Sequence, residues 1–227
     1  MSDGTDFLYP FIEDGERDVG ALLVDLAESA RSKVAMSAQL RKATLAGAEA
    51  TLGAAAAAMA ERFAQGGRMF VFGNGGSSTD AAALASLFVL PPCAQSLPAR
   101  SLVDDSAVLT ALGNDVGFDL VFSRQLIAFA GPGDIAVGLS TSGNSRNLLY
   151  AFGEAAKRGL CTVGIAGYSG GEMARSPHVD HCLVVAADSV HRIQESQAAL
   201  CFELWRGVQR NLVSERFAPA ERGAPRS

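Results

Sequence analysis

The sequence predicts an α/β fold in which a parallel sheet is covered by helices on both faces. Short apolar runs alternate with helix-like segments, which is the pattern of strands joined by crossover helices. The runs are continuously apolar, as expected of strands that are buried on both faces. With 227 residues, of which 48% are hydrophobic, the chain is long enough for one sizeable core, and we expect a single domain.

The first half of the chain supplies the N-terminal helices and two strands. Residues 1–17 are predicted to form a flexible N-terminus. Apolar residues at helical spacing then predict helices at Val19–Ala30 and Val34–Phe63. Further along, the pattern predicts a strand at Met69–Phe72, a helix at Thr79–Leu90 that stops at a Pro-Pro pair, a strand at Ala99–Val103, a short helix at Ser106–Leu112 broken by Gly113-Asn114-Asp115, and a helix at Phe118–Ala130.

The second half repeats this alternation more regularly. The predicted elements are a strand at Ile135–Leu139, a helix at Arg146–Arg158, strands at Cys161–Ala166 and Val179–Val185, and a long helix at Val190–Leu212. Residues 214–227 are rich in Pro, Arg and Glu and are predicted to form a flexible tail. The single domain is therefore expected to span residues 18–213.

Charge and cysteine usage narrow the classes of function. The formal net charge is −5 and the sequence pI is about 5.2, so we expect no direct contact with nucleic acid. The four cysteines are scattered without a Cys-x-x-Cys pair, and they are predicted to be buried thiols of a cytosolic protein. The acidic start, Met1 to Glu16, does not resemble a signal peptide, and we expect no transmembrane run and a cytoplasmic location.

A loop rich in hydroxyl groups, residues 140–145, follows one predicted strand and precedes a predicted helix. It carries four hydroxyl side chains in six residues. The start of a helix leaves backbone N–H groups without partners and carries partial positive charge, so such a loop is typical of a phosphate site. The structural alternative is that Ser142 or Asn144 only caps the helix. We call residues 140–145 the phosphate loop.

A second polar loop, residues 73–80, follows the first predicted strand and begins with Gly73-Asn74-Gly75-Gly76-Ser77. Its spacing is neither that of a dinucleotide-binding fingerprint nor that of a P-loop. In an open parallel sheet, ligands bind at the carboxyl ends of the strands, so this loop and the phosphate loop can close on one ligand. Together the two loops predict a phosphorylated ligand. We call residues 73–77 the glycine loop.

Five motifs occur in a fixed order from about Val19 to Leu212. They are Gly73-Asn74-Gly75-Gly76-Ser77, Gly113-Asn114-Asp115 with Gly117-Phe118, Phe122-Ser123-Arg124, Ser140 to Ser145, and Arg192-Ile193-Gln194-Glu195. In this order the chain resembles the SIS (sugar isomerase) domains, and among them the subgroup of phosphoheptose isomerases and DnaA initiator-associating proteins. The resemblance implies a three-layer fold with a five-stranded parallel sheet, and an N-terminal helical segment that builds a homotetramer with its sites near subunit contacts.

The resemblance also implies which residues bind a sugar phosphate. The phosphate would be held by Ser140, Thr141, Ser142 and Ser145. The sugar and the phosphate side would be bound by Asn74, Gly75, Gly76 and Ser77. The sugar hydroxyls would be bound by Asn114 and Asp115, and the sugar end or a metal by Gln194.

The chemistry implied by the family does not fit this chain. Converting a ketose phosphate to an aldose phosphate needs a base and an acid. Phosphoheptose isomerases have a His and a Glu one turn apart after the first loop and a His on the last helix, and these also bind zinc. The matching residues here are Ala83, Leu87 and Phe202, which neither move a proton nor hold a metal. The histidines, His178, His181 and His191, form no ligand pair, so we expect no zinc and no other cofactor.

Four residues remain as candidate proton-transfer groups, namely Asp80, Asp115, Glu195 and His191. Asp80 and Glu195 are equally explained as charges that stabilise helix N-termini, and His191 as a surface histidine. Two hypotheses follow. The protein is an isomerase of a sedoheptulose 7-phosphate-like sugar with a rearranged acid–base pair, or it is a catalytically silent tetramer that senses a phosphosugar or docks a partner.

Overall fold

The computed structural model describes the backbone of residues 19–217 and the side chains of residues 22–214. The elements in chain order are α1 (Val19–Ala64), β1 (Met69–Gly73), α2 (Gly76–Val89), β2 (Ala99–Ser101), α3 (Ser106–Asp115), α4 (Val121–Phe129), β3 (Ile135–Ser140), α5 (Arg146–Lys157), β4 (Cys161–Gly167), β5 (His181–Val185) and α6 (Val190–Phe217). Two short 3-10 turns lie at Phe118–Leu120 and Met173–Arg175.

The chain divides into two compact units at Gln39 and Leu40. The described part of the first unit is the N-terminal portion of α1, and it exposes large apolar side chains at Leu23, Val24, Leu26, Val34 and Met36. The second unit holds the rest of the helices and the sheet.

The sheet has five strands in the order β2-β1-β3-β4-β5, and every neighbouring pair is parallel. The predicted α/β fold with a five-stranded parallel sheet flanked by helices is confirmed. Because β1 pairs with β2 on one side and β3 on the other, the strand order reverses between β1 and β3. A crevice at the carboxyl ends of strands beside such a reversal is the usual ligand site of an open parallel sheet.

Side chains of each strand alternate between two cores, one on each face of the sheet. In β1, Met69 and Val71 pack into one core and Phe70 and Phe72 into the other. The first core is completed by residues of α1, α2 and α6, and the second by residues of α4 and α5. This alternation has the two-residue period of a strand, and burial on both sides explains why the strand sequences are continuously apolar.

Close packing beside β3 brings α5 against the sheet. A Cβ at Gly138 would lie 2.6 Å from Phe152 and 2.9 Å from Phe72, and the rings of these two phenylalanines have centroids 5.4 Å apart. Only glycine leaves room for this approach. It sets the depth at which α5, and therefore its N-terminus, sits on the sheet.

Three helices differ from the sequence prediction. The two helices predicted at Val19–Ala30 and Val34–Phe63 are one helix, α1, because Arg31 to Lys33 contain no proline or glycine to end it. The predicted break at Gly113-Asn114-Asp115 is wrong, since α3 continues to Asp115 and the chain turns at Gly117 with a φ of 100°. A lone glycine is tolerated inside a helix. The start of α2 is also earlier than predicted, at Gly76 instead of Thr79.

The other boundaries shift by a few residues. The first turn of the helix predicted at Phe118–Ala130 is a 3-10 turn, in which Phe118 is 56% exposed. The last helix continues to Phe217 instead of ending at Leu212. The predicted flexible N-terminus, residues 1–17, lies outside the described residues. The predicted tail, residues 214–227, is wrong at residues 214–217, which belong to α6, and lies outside the described residues from 218 onward.

The sequence predicted four buried thiols, and the structure buries only some of these cysteines. Cys161 and Cys201 are buried, Cys182 is partly buried and Cys93 is exposed. Burial raises the pKa of Cys161 to about 11 and that of Cys201 to about 12. Because the thiolate is the reactive form, these two thiols are inert at neutral pH.

Within the described residues, the stretch Leu22–Ala64 of α1 is long and apolar enough to cross a membrane when judged by length and composition alone, against the expectation that no run reaches that length. Of its most apolar window, 39% is buried inside the protein. A core helix meets the same criterion, so this stretch is weak evidence for a membrane segment.

Candidate functional site

A cavity of about 270 Å³ lies where the phosphate loop meets the glycine loop, at the carboxyl ends of β1 and β3. This is the point at which the strand order reverses. The cavity is lined by Asn74, Ser77, Leu139, Ser140, Thr141, Ser142, Ser145, Tyr168 and Val190. The structure therefore brings together the two loops that the sequence paired.

Hydrogen bonds within the phosphate loop hold its hydroxyl groups in place. The Oγ atoms of Ser140 and Ser145 are 3.2 Å apart. The backbone N–H of Gly143 donates to Ser140 Oγ at 3.1 Å, and that of Asn144 donates to Ser142 Oγ at 3.2 Å. The loop thus curls around its own serine side chains, and a ligand meets hydroxyl groups whose positions are already fixed.

The N-terminus of α5 is not capped by the residues proposed as caps. Ser145 is the N-cap residue, and its side chain makes no capping hydrogen bond. Asn144 Oδ1 accepts instead from the backbone N–H of Glu172 at 2.8 Å. The alternative in which Ser142 or Asn144 only caps the helix is therefore wrong. The positive end of the helix dipole faces a cavity lined by hydroxyl groups, which is the arrangement that binds an anion.

Glycines lock the phosphate loop against residues 170 and 171. Gly143 has a φ of 67°, and a Cβ there would run into the carbonyl oxygen of Gly170. Gly171 has a φ of 58°, and its Cβ would run into the carbonyl oxygen of Ser142. The Gly143 carbonyl also accepts from the N–H of Met173 at 2.9 Å. The phosphate loop is thus fixed from outside as well as by its own hydrogen bonds.

The glycine loop turns tightly into α2. Ser77, 2% exposed, donates its backbone N–H to the carbonyl of Asn74 at 3.0 Å. A Cβ at Gly73 would lie 2.5 Å from the carbonyl oxygen of Ser77 and 3.0 Å from that of Leu139. Glycine at position 73 therefore lets the loop pass directly over the end of β3.

The remaining predicted ligand residues lie outside the cavity. Gly75 and Gly76 are exposed in the glycine loop, and the side-chain amide of Gln194 on α6 lies against Gly76. Asn114 and Asp115 are exposed at the end of α3, where Asn114 Nδ2 donates to Asp115 Oδ1 at 2.8 Å. Within this single chain, the structure does not place Asn114 and Asp115 with the other predicted ligand residues.

Three residues near the cavity were not assigned from the sequence. Tyr168 and Val190 line the cavity, and Asn147 on α5 pairs with Asn74. The position of Tyr168 directly after β4 is a signal that could have identified it, because the neighbouring strands end at the same edge of the sheet.

The candidate proton-transfer groups differ in their surroundings. Glu195 and His191 are exposed on α6 and Asp115 is exposed on α3, whereas Asp80 on α2 is half-buried. Asp80 is the fifth residue of its helix and Glu195 the sixth. The interpretation of these two carboxylates as first-turn charges that stabilise helix N-termini is therefore wrong.

The three positions that the sequence resemblance assigns to the family's His, Glu and His lie on α2 and α6. Ala83 is exposed, Leu87 is partly buried and Phe202 is 45% exposed with its ring 5.4 Å from that of Trp205. Among the side chains that the structure describes, no group of three or more His, Cys, Asp or Glu residues is arranged to hold a metal ion.

Asp80→Asn is expected to raise the free energy of unfolding at pH 7. Burial raises the pKa of the Asp80 carboxyl above its ordinary value of 3.8, so the folded protein holds this proton more tightly than the unfolded chain. The resulting stabilisation is present at low pH and is lost as the pH rises through the raised pKa. Asparagine avoids the cost of the buried charge, and the gain is about 0.5 kcal/mol because water screens the half-exposed side chain.

Urea unfolding of both proteins at pH 7 and at pH 3.5 measures this difference, which is expected to vanish at the lower pH. The control is Asp104→Asn at an exposed position. A variant at Asp80 that is less stable than the unaltered protein at pH 7 would contradict the expectation.

Comparison with known proteins identifies the family. A family model described as SIS domain matches residues 34–167. The chain belongs to the SIS domain family. The phosphoheptose isomerase of Solidesulfovibrio magneticus is 48% identical over 153 residues, which cover 65% of this chain and 72% of that protein.

Solved structures agree with this assignment. The phosphoheptose isomerase GmhA of Neisseria gonorrhoeae superposes with a TM-score of 0.74 at 32% identity, over 82% of this SIS-domain chain and 99% of that chain. The Vibrio vulnificus NanR protein complexed with ManNAc-6P has a TM-score of 0.53 at 18% identity, covering 86% of this chain and 71% of that chain. At that identity the likeness shows a shared fold.

Proposed function

We propose that this SIS-domain protein binds a phosphorylated sugar in the cavity between the phosphate loop and the glycine loop. The observation that carries the proposal is the uncapped N-terminus of α5 facing a cavity lined by Ser140, Ser142 and Ser145. A phosphate there would accept hydrogen bonds from the hydroxyl groups and from backbone N–H groups together. Asn74, which also lines the cavity, would contact the sugar.

The proposed ligand is a sedoheptulose 7-phosphate-like sugar, and the proposed activity class is that of the phosphoheptose isomerases. Relatives of that name, at up to 49% identity, support the assignment. The more distant NanR, which has the same fold, is complexed with another sugar phosphate, ManNAc-6P. The name of these relatives and the ligand of NanR both indicate a phosphosugar, and such a ligand fits a cavity that offers hydrogen-bond donors to a phosphate.

The catalytic equipment is proposed to differ from that of phosphoheptose isomerases. Ala83, Leu87 and Phe202 occupy the positions that the resemblance assigns to the family's His, Glu and His. Their side chains carry no acid, base or metal ligand, so no zinc or other cofactor is proposed. If the protein is an isomerase, Asp80 is the candidate base whose surroundings differ most from water, because burial raises the pKa of its carboxyl above the ordinary value.

A catalytically silent phosphosugar sensor, or a tetramer that docks a partner, is the second candidate function. The alanine, leucine and phenylalanine side chains at positions 83, 87 and 202 favour it, because a site can keep its affinity for a ligand without a proton-transfer pair. Both candidates share the same binding step and differ only in turnover.

Assembly and location are part of the proposal. Exposed apolar side chains on the N-terminal part of α1, including Leu23, Val24 and Val34, support a homotetramer, because a surface of this kind is stabilised when it is covered. We also propose a cytoplasmic location, and the net charge of −5 supports the absence of a direct nucleic-acid partner. Light scattering at micromolar concentration tests the assembly, and a monomer would contradict it.

The direct test of function is incubation of the purified protein with sedoheptulose 7-phosphate, with and without zinc. Calorimetry is expected to detect saturable binding, and NMR follows the aldose product. Steady product formation above that of a Ser142→Ala, Ser145→Ala control identifies an isomerase, whereas binding without product identifies the silent protein. Zinc is expected to change neither result. Absence of binding would overturn the proposed function.

A further inference from the structure

An amide pair joins the glycine loop to α5, the helix that follows the phosphate loop. Asn74 Nδ2 donates to Asn147 Oδ1 at 2.9 Å, and Asn147 Nδ2 donates back to Asn74 Oδ1 at 2.9 Å. Asn74 belongs to the glycine loop and lines the cavity. Asn147 is the second residue of α5 and is 3% exposed. The two residues are 73 positions apart in sequence, so the pair ties together elements that the chain does not connect locally.

The orientation of the Asn147 amide is fixed by the backbone. Asn147 Oδ1 also accepts from the N–H of Leu148 at 3.0 Å. Turning the amide over would place its NH2 group against this N–H, which also donates to the Ser145 carbonyl at 3.1 Å, so that two donors would face each other. Asn147 must therefore present its oxygen to Asn74 Nδ2 and its nitrogen to Asn74 Oδ1.

This fixed partner sets the orientation of Asn74 in turn. An asparagine amide has two N–H donors and two acceptor lone pairs. The pair uses one of each on Asn74 and leaves one donor and one acceptor on a side chain that lines the cavity. A sugar hydroxyl is both a donor and an acceptor, so the held amide matches a hydroxyl next to the phosphate. Without its partner the terminal torsion of Asn74 is broad and the match is lost.

We propose that Asn147 is a positioning residue that acts through Asn74 to make the site select a sugar phosphate over inorganic phosphate. The assignment rests on the proposed function, because it needs a phosphosugar in the cavity. Asn147 does not touch the ligand. Its hydrogen bonds hold Asn74 towards the sugar, while the phosphate is held by the hydroxyl groups of the phosphate loop.

The test compares two ligands on the full-length protein by calorimetry, sedoheptulose 7-phosphate and inorganic phosphate. Asn147→Leu is expected to weaken binding of the sugar phosphate about ten- to hundredfold, because the Asn74 amide that meets the ligand then lacks the hydrogen bonds that orient it. Affinity for inorganic phosphate is expected to stay within about twofold, because the serine contacts remain. A role in folding alone would lower both affinities together or neither.

A double-mutant cycle tests whether Asn147 acts through Asn74. Asn74→Leu is expected to cause a similar loss of selectivity, and the variant with both substitutions is expected to lose no more than Asn74→Leu alone. The matched control is Asn211→Leu, which removes a side-chain hydrogen bond to the Gly207 carbonyl within α6. The control is expected to keep the selectivity of the unaltered protein.

Circular dichroism checks that each variant is folded. If Asn147→Leu does not fold, Asn147→Asp is measured instead, because it keeps the acceptor for the Leu148 N–H and removes the donor to Asn74. Its added negative charge disfavours both phosphate ligands, so the ratio of the two affinities is the quantity compared. This variant is expected to lower selectivity in the same direction. Unchanged selectivity in the folded variant, or additive losses in the cycle, would overturn the role of Asn147. Failure of the unaltered protein to bind either ligand would instead overturn the proposed function, and the positioning role with it.

Discussion

Replacing both Ser142 and Ser145 with alanine is expected to weaken the binding of sedoheptulose 7-phosphate by at least about a hundredfold. Hydrogen bonds to a charged group contribute about 1.5 to 3 kcal/mol each, and each 1.4 kcal/mol corresponds to about tenfold in affinity. Both side chains line the cavity. Two lost bonds therefore remove roughly 3 kcal/mol or more. Titration calorimetry of Ser142→Ala, Ser145→Ala measures the change.

The same substitutions are expected to leave the fold almost unaltered. Ser142 is exposed, and Ser145 makes no capping hydrogen bond to α5, so thermal unfolding is expected within a few degrees of the unaltered protein. The control is Ser96→Ala with Ser214→Ala, since these hydroxyls bond the carbonyls of Val89 and Arg210 away from the cavity. Equal affinity in the site variant and the control would refute the phosphate assignment.

Gly143→Ala is expected to destabilise the protein by about 2 to 4 kcal/mol and to abolish phosphosugar binding. At a φ of 67°, a residue with a side chain is strained, and its Cβ would meet the carbonyl oxygen of Gly170. That oxygen belongs to the backbone, so it cannot move aside as the end of a flexible side chain would. The phosphate loop must shift, and its hydroxyl groups then leave their places. Urea unfolding gives the stability change.

Gly131→Ala is the matched control for this prediction. A Cβ at Gly131 meets nothing within 4 Å, and alanine keeps the backbone N–H that donates to Asp134 Oδ2 at 2.9 Å. Its stability is expected to stay within about 0.5 kcal/mol of the unaltered protein. If the two glycine variants were equally stable, the close approach of Gly143 to Gly170 would not be a constraint on the loop.

The sequence could predict those parts of the site that depend on local pattern. A strand, a hydroxyl-rich turn and a helix in succession predicted the phosphate loop, and the rule that parallel strands end at one edge predicted its partner, the glycine loop. The apolar runs also predicted the five strands, whereas Asn114, Asp115 and Gln194 were assigned as ligand residues from the family resemblance alone. The exposed positions of Asn114 and Asp115 could not be predicted, because they depend on where α3 lies relative to the cavity.

The features that were missed depend on contacts between distant residues. Asn147 looks like an ordinary polar residue at the start of a helix, and only the fold brings it to Asn74. The helix break predicted before Val34 was wrong because that prediction depended on the local pattern alone. Local apolar spacing lapses at Arg31 to Lys33, but nothing in those three residues ends a helix, so α1 continues through them.

The loops proposed to bind the sugar phosphate and the helix positions proposed as catalytic are separate parts of the structure. This separation bears on how such a protein can evolve. The phosphate loop is fixed by its own hydrogen bonds and by residues 170 to 173, and the glycine loop is tied to α5 through Asn74 and Asn147. Ala83 and Phe202 lie on α2 and α6 with exposed side chains, and the hydrogen bonds described for the two loops do not involve them. If these are the catalytic positions, as proposed, substitutions there change the chemistry of the site and leave the two loops proposed to bind the ligand in place. Catalysis can then be lost or regained without rebuilding those loops.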